Sequence, residues 1–372
     1  MQPAAIDTTT PPGPLPPTAA PAPGPGRRER LARAAHGAGV LPLLQRCRRA
    51  LRHDLRVFAY HRVRPLEPGY SFDPMLVSAL PEDFARQMRW LRDRFRPVRC
   101  EQVVEAIEGG RPLPADSVLV TFDDGYDDNW HIAFPILREL GVPATFFVAT
   151  GHIDSGAPFA YDWLVHALRT GAQSVLRVPE LGLELALPPG VGARADAAAV
   201  LLDRLKALDD AGQQAVMARL LEDWGLPRPA SHPESRPMTW AQLRAMRAAG
   251  MSIGAHGVHH RMLAKLPPAQ MVAEVTQSKA RLDAELGPGI DALSYPVGGP
   301  DAYDASVIEA ARQAGFALGF SYVAGTNPWV RMERYALRRL PVERHVDQRW
   351  FAAIAAVPEL FGHPSALRVY PA

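Results

Sequence analysis

From residue 57 onward the chain alternates short β-branched and aromatic runs with longer helical patterns, and that alternation leaves few folds open. Runs that read as strands cover residues 57–60, 97–100, 118–122, 144–149, 252–255, 292–295, 317–320 and 337–342. Helical patterns fill the gaps at 81–93, 100–108, 130–140, 239–249, 269–286 and 303–314. Thr239 with Gln242 three residues on forms a capping box, and Gly141, Gly250 and Gly315 each follow a helix as C-terminal stops. Strands separated by helices pair in parallel, and seven or eight of them suffice to close a barrel. The expectation is an α/β fold with a mainly parallel sheet, closed or nearly closed into a barrel.

Three stretches break the rhythm. Residues 1–26 contain nine prolines and read as a solvated tail without a core or an export signal. Residues 27–56 read as two helical pieces broken near Gly37 and Gly39. They carry nine Arg against Glu29 and Asp54, so a charge of +2 over 372 residues conceals a basic segment on a mildly acidic body. The primary reading is a helix docked on the main domain; a second is a membrane-surface helix drawn to anionic lipid. Residues 155–237, rich in Ala and Leu, read as a helical insertion on a barrel domain spanning 57–372, with helices near 161–170 and 195–224. No basic face extends through the fold, so nucleic acid is not an expected partner. Two cysteines, Cys47 and Cys100, exclude a Cys-built metal site and are read as buried thiols. Any metal must be held by His and carboxylate.

Four strand ends carry chemistry. Thr121-Phe122-Asp123-Asp124-Gly125 runs a hydrophobic strand into two carboxylates, and barrel active sites gather at the C-terminal ends of strands. Adjacent side chains on extended chain diverge, so one Asp can face a metal and the other a water or substrate. Gly254-Ala255-His256-Gly257-Val258-His259-His260 places three of twelve histidines within five residues. His256 and His260 would share one face of a helical turn and could hold one ion, with His259 turned away. Leu293-Ser294-Tyr295-Pro296-Val297-Gly298-Gly299 ends a strand in a turn that could aim a backbone N–H at an oxyanion. His61 closes the first strand. Trp130, Trp163, Tyr126 and Phe159 lie near candidate mouth loops; each is read first as packing and second as a platform for a sugar.

Together these motifs resemble the polysaccharide deacetylase superfamily, carbohydrate esterase family 4. Tyr60-His61-Arg62-Val63 is most similar to the bacterial poly-N-acetylglucosamine deacetylase branch. The resemblance covers about residues 57–345 and leaves the insertion poorly covered. It implies a distorted (β/α)7 TIM-like barrel, which agrees with the strand count, with Asp123 as general base, Asp124, His256 and His260 as metal ligands, His61 as general acid and the Val297 N–H as oxyanion donor. The wider family has Arg where this chain has Ser294, and Arg339 on a late strand is the expected substitute for orienting Asp123. The usual C-terminal Leu-x-His is not evident, which leaves His345 as the reserve acid. The cofactor implied is Zn2+, with Co2+, Ni2+ or Fe2+ also suited to the ligand set. The activity implied is removal of N-acetyl groups from a polysaccharide or its lipid-linked precursor; since no export signal is seen and residues 27–56 are basic, the expected location is the cytoplasm or the membrane face. An O-deacetylase or other small-amide hydrolase, and a catalytically silent carbohydrate-binding relative, are the alternatives.

Overall fold

The computed structural model describes residues 26–362, so nearly all of the Pro-rich stretch lies outside the described residues. Seven parallel strands close on themselves in chain order: β1 Asp54–Tyr60, β2 Ser117–Phe122, β3 Ala144–Val148, β4 Ser252–Ala255, β5 Ala292–Ser294, β6 Leu318–Ala324 and β7 Leu337–Pro341. Closure comes from β1 pairing with both β7 and β2. The barrel is uneven. β4 and β5 share one paired position, Ala255 with Leu293, and β6 slips register against β7 between Phe320 and Ala324. The (β/α)7 expectation therefore holds, including its distortion. Residues 97–100 do not form a barrel strand: Arg96–Pro97 pairs briefly with the start of β2, and Cys100 already begins a helix.

Strands of a closed parallel barrel are covered on both faces, which accounts for the unbroken apolar runs. Every residue of β1, β2 and β3 is buried. Phe58, Tyr60, Phe122 and Phe146 pack toward the surrounding helices, and Phe122 stacks on Phe146 at 4.7 Å between ring centres. Leu55, Val57, Leu119, Phe147, Leu318 and Phe320 form a second cluster.

The basic segment forms two helices, Arg27–Gly37 and Leu41–Leu51, docked against the helix Gln348–Ala356. Their attachment is partly ionic. Arg48 is buried, and its guanidinium engages Asp54 at 2.9 and 2.5 Å and Glu359 at 3.0 and 2.7 Å. Cys47 departs from expectation: it is exposed, while Cys100 is buried, and both are free thiols. No described helix is long and apolar enough to cross a membrane.

Between β3 and the helix Trp240–Ala248, which returns the chain to β4, lie the helix Ala160–Thr170, the hairpin Val175–Val178 with Leu183–Ala186, and the helices Ala195–Leu205 and Asp210–Asp223. These share a core of their own around Leu164, Leu168, Leu176, Leu201, Leu205 and Met217. The hairpin was not expected. The pattern over 195–224 is two helices rather than one. Asp209 caps the second by accepting from the Gly212 N–H at 2.8 Å, so the chain turns there.

Candidate active site

The C-terminal ends of β1, β2, β4, β5 and β7 bring the site residues together. Asp123 and Asp124 leave β2 in opposite senses. Asp123 takes a bidentate pair from Arg339 of β7, Nη1 to Oδ1 at 2.8 Å and Nη2 to Oδ2 at 2.7 Å. Arg339 is fully buried, and its remaining donors reach the Ser321 carbonyl at 2.7 Å and Ser294 Oγ at 3.0 Å. Ser294 is thus small enough to let an arginine from another strand reach the aspartate, and its hydroxyl accepts from that arginine. Burial works to raise the Asp123 pKa, but the Arg339 charge and the nearby imidazoles outweigh it, and the carboxyl stays below its ordinary value.

Asp124 turns to the histidines. Its Oδ1 lies 3.5 Å from His256 Nε2 and 3.1 Å from His260 Nε2, and one ligand atom from each of the three residues falls within 4.8 Å of the others. His256 Nδ1 stands 2.7 Å from the Ser294 carbonyl. A carbonyl can only accept, so Nδ1 carries the hydrogen and neutral His256 presents a bare lone pair at Nε2. Asp124 Oδ1 is buried and receives no hydrogen bond from either ring. Asp124 Oδ1 is unpaired and His256 Nε2 is bare, and a neutral His260 with its Nε2 lone pair turned the same way completes a donor set of one carboxylate oxygen and two imidazole nitrogens, which fits a divalent cation. The short contacts do act electrostatically. Burial alone would raise Asp124 and lower His260, yet their proximity holds Asp124 well below, and His260 above, their ordinary values.

His256 and His260 do not share a helical turn. The segment after β4 is an irregular loop in which His260 adopts a left-handed φ of 57°, and the loop folds His260 back beside His256 with ring centres 4.9 Å apart. Glu274, which the sequence reading missed, shapes this loop: its Oε2 accepts from the Val258 and His259 N–H groups at 2.7 and 2.9 Å. His259 points away and its Nδ1 contacts Glu274 Oε1 at 2.7 Å. Among the described residues four non-glycine residues have left-handed φ, and three of them are Asp124 (75°), His260 (57°) and Val297 (64°). Such backbone costs of order 1–3 kcal/mol per residue and clusters where side chains or N–H groups must be aimed. At Val297 the bend is braced by the next residue. Gly298 accepts from the Tyr322 N–H at 2.7 Å, and a Cβ on Gly298 would lie 2.6 Å from that nitrogen. None of the described hydrogen bonds occupies the Val297 N–H.

His61 is half-buried beside these groups, its ring centre 5.4 Å from that of Tyr322. Its backbone is pinned on both sides, with its N–H donating to Ser78 Oγ at 2.9 Å and its carbonyl accepting from Asn129 at 2.9 Å. Asn129 opens a π-turn at Asn129–Ala133 inside the region expected to be a plain helix. Burial lowers the His61 pKa, with Asp124 and Asp123 pulling the other way and the net shift downward. The reserve His345 is about half exposed, lies 3.4 Å from Glu343 and packs against Trp350. Of the candidate sugar platforms, Tyr126, Phe159 and Trp163 are buried, so their faces are not open to a glycan, and Trp130 stacks on Phe134.

Residues 110–319 match the family model described as polysaccharide deacetylase. Over 100 residues the chain is 37% identical to the poly-beta-1,6-N-acetyl-D-glucosamine N-deacetylase of Escherichia coli K12, a match covering 27% of this chain and 14% of that enzyme. Among solved structures it is similar to the Streptococcus pyogenes deacetylase PplD in complex with acetate (TM-score 0.54, 19% identity, 80% of this chain and 95% of that one). It is also similar to IcaB from Ammonifex degensii (TM-score 0.50, 21% identity, 82% and 96%). Both likenesses are of fold.

Proposed function

The chain belongs to the polysaccharide deacetylase family, and we propose that it is a carbohydrate deacetylase that removes N-acetyl groups from the amino sugars of a β-linked N-acetylglucosamine polymer or its lipid-linked precursor, releasing acetate, with a divalent cation held by Asp124, His256 and His260. The observation that carries this reading is the buried, donor-less Asp124 Oδ1 facing two Nε2 atoms. A cation bound there supplies Lewis acidity, easing the ionisation of water and polarising an amide carbonyl. Zn2+ suits this set first, and Co2+, Ni2+ and Fe2+ after it.

The chain's own residues do the rest. Arg339 keeps Asp123 ionised and fixes both its oxygens, so Asp123 is ready to take a proton from the attacking water. The Val297 N–H, aimed by its left-handed backbone, donates to the oxygen of the former carbonyl as negative charge grows there. His61 delivers a proton to the departing nitrogen, which avoids expelling an amide anion. Burial makes its imidazolium a stronger acid than free imidazole.

For location we propose the cytoplasm or the membrane face. Leu31, Leu43 and Leu51 stand exposed on the two N-terminal helices among arginines, which would suit loose contact with anionic lipid.

The test is acetate release from a panel of N-acetylhexosamine oligomers. The expected result is release from β-1,6-linked N-acetylglucosamine oligomers that stops on chelation and returns with added Zn2+ or Co2+. Release that is indifferent to chelation, or confined to O-acetyl substrates, would contradict the proposal.

A further inference from the structure

His256 and His260 are supported differently. His256 has the Ser294 carbonyl behind it, whereas His260 Nδ1 is buried without a hydrogen-bond partner. Metal-binding imidazoles normally rely on a partner at the second nitrogen to fix the ring. Two rings touch that of His260: His256, at 4.9 Å between centres, and, from outside the proposed ligand set, Phe159, at 5.3 Å between centres and 73° between planes, an edge-to-face contact.

Phe159 caps the start of the helix Ala160–Thr170, the first helix of the expected insertion, and is itself held from two further sides. Its ring lies 3.8 Å from that of His152 and 5.3 Å from that of Tyr126. The same helix is clamped to the loop that carries the aspartates. Asp162 accepts from the Tyr126 hydroxyl at 2.7 Å and from the Ser235 hydroxyl at 2.8 Å. At the far end of the excursion, Asp127 receives Arg236 at 2.7 Å and Met238 N–H donates to the Gly125 carbonyl at 2.8 Å. The excursion therefore leaves and re-enters the barrel beside the metal ligands.

We infer that Phe159 is a positioning residue for the metal centre, holding the His260 imidazole by its edge where no hydrogen bond does so. The inference rests on the proposed ligand set. A ring freed of this wall could rotate about χ1 and χ2, and its ordering would then have to come out of the binding free energy.

The experiment is titration of the full-length, metal-free protein with Co2+, followed by calorimetry and by the visible spectrum of the bound ion. Replacing an outer support of a ligand typically weakens metal binding about 10- to 100-fold. Phe159→Ala should fall in that range with altered Co2+ bands, Phe159→Leu should be weakened several-fold, and Phe159→Tyr, which keeps the ring, should bind as the wild type does. Wild-type affinity and spectrum in Phe159→Leu would overturn the inference, even if Phe159→Ala failed to fold. Equal loss in a folded Phe159→Tyr would overturn it as well. A parallel His260→Ala titration separates the two claims: loss there with no loss in the Phe159 variants removes only the role of Phe159, whereas unchanged binding in His260→Ala removes the ligand assignment itself.

Discussion

Asp123→Asn is expected to reduce acetate release by roughly 10²–10⁴-fold while leaving metal affinity near that of the wild type. Asn is nearly isosteric and keeps one of the two hydrogen bonds from Arg339, accepting through its Oδ1, while its NH2 group cannot accept the other. What it loses is the basic oxygen. The split between activity and metal binding is the informative part, because Asp123 and Asp124 are neighbours in sequence but face different partners: Arg339 on one side, His256 and His260 on the other. Steady-state release assays and metal titration on the same preparation check it. A variant that loses both together would mean that the two carboxylates act as one unit.

Arg339→Met should be the most destabilising single change at the site, costing about 3–5 kcal/mol, because it leaves a buried carboxylate without its partner. Its pH dependence has a definite sign. In the wild type the folded-state pKa of Asp123 is depressed, so the pair's contribution is present above the ordinary 3.8 and lost as pH falls through the folded value. Without the Arg339 charge, burial pushes the carboxyl upward, opposed only by the nearby imidazoles. The variant then carries an ionisation penalty that eases on acidification. Urea unfolding of the chelated proteins should show the deficit shrinking as pH falls from neutrality toward 3.8 and below. A deficit that is constant across that range would point to lost packing alone.

Much of this site was legible because its residues follow directly on strands. A run such as Val118 to Phe122 must be buried on both faces, so the polar residues that follow it arrive at the barrel rim by necessity. The same logic brought out His256, Val297 and His61. Arg339 was reachable by a different route, as a cation on a buried strand close to a position where the resembling family needs one and this chain has Ser294. Less visible were features that depend on contacts between distant segments. The spacing of His256 and His260 suggested a helical turn, but Gly257, with φ 72°, breaks any helix there, and Glu274 from a later helix shapes the loop instead. Phe159 was singled out as aromatic, yet only the folded chain shows which ring it meets. Cys47, read as a buried thiol, sits instead on the outward face of a helix whose inward face is held by Arg48. The Asp209 cap had a local signal, an acidic residue three before Gly212, that the long Ala-Leu pattern obscured.

The most direct test of the account is calorimetric titration of the chelated wild type, Asp124→Ala and His256→Ala with Zn2+. One tightly held ion per wild-type chain is expected, and none at the same free concentration in either variant, with each variant folded by circular dichroism. A folded variant that takes up Zn2+ as the wild type does, or a wild type that takes up none, would contradict it.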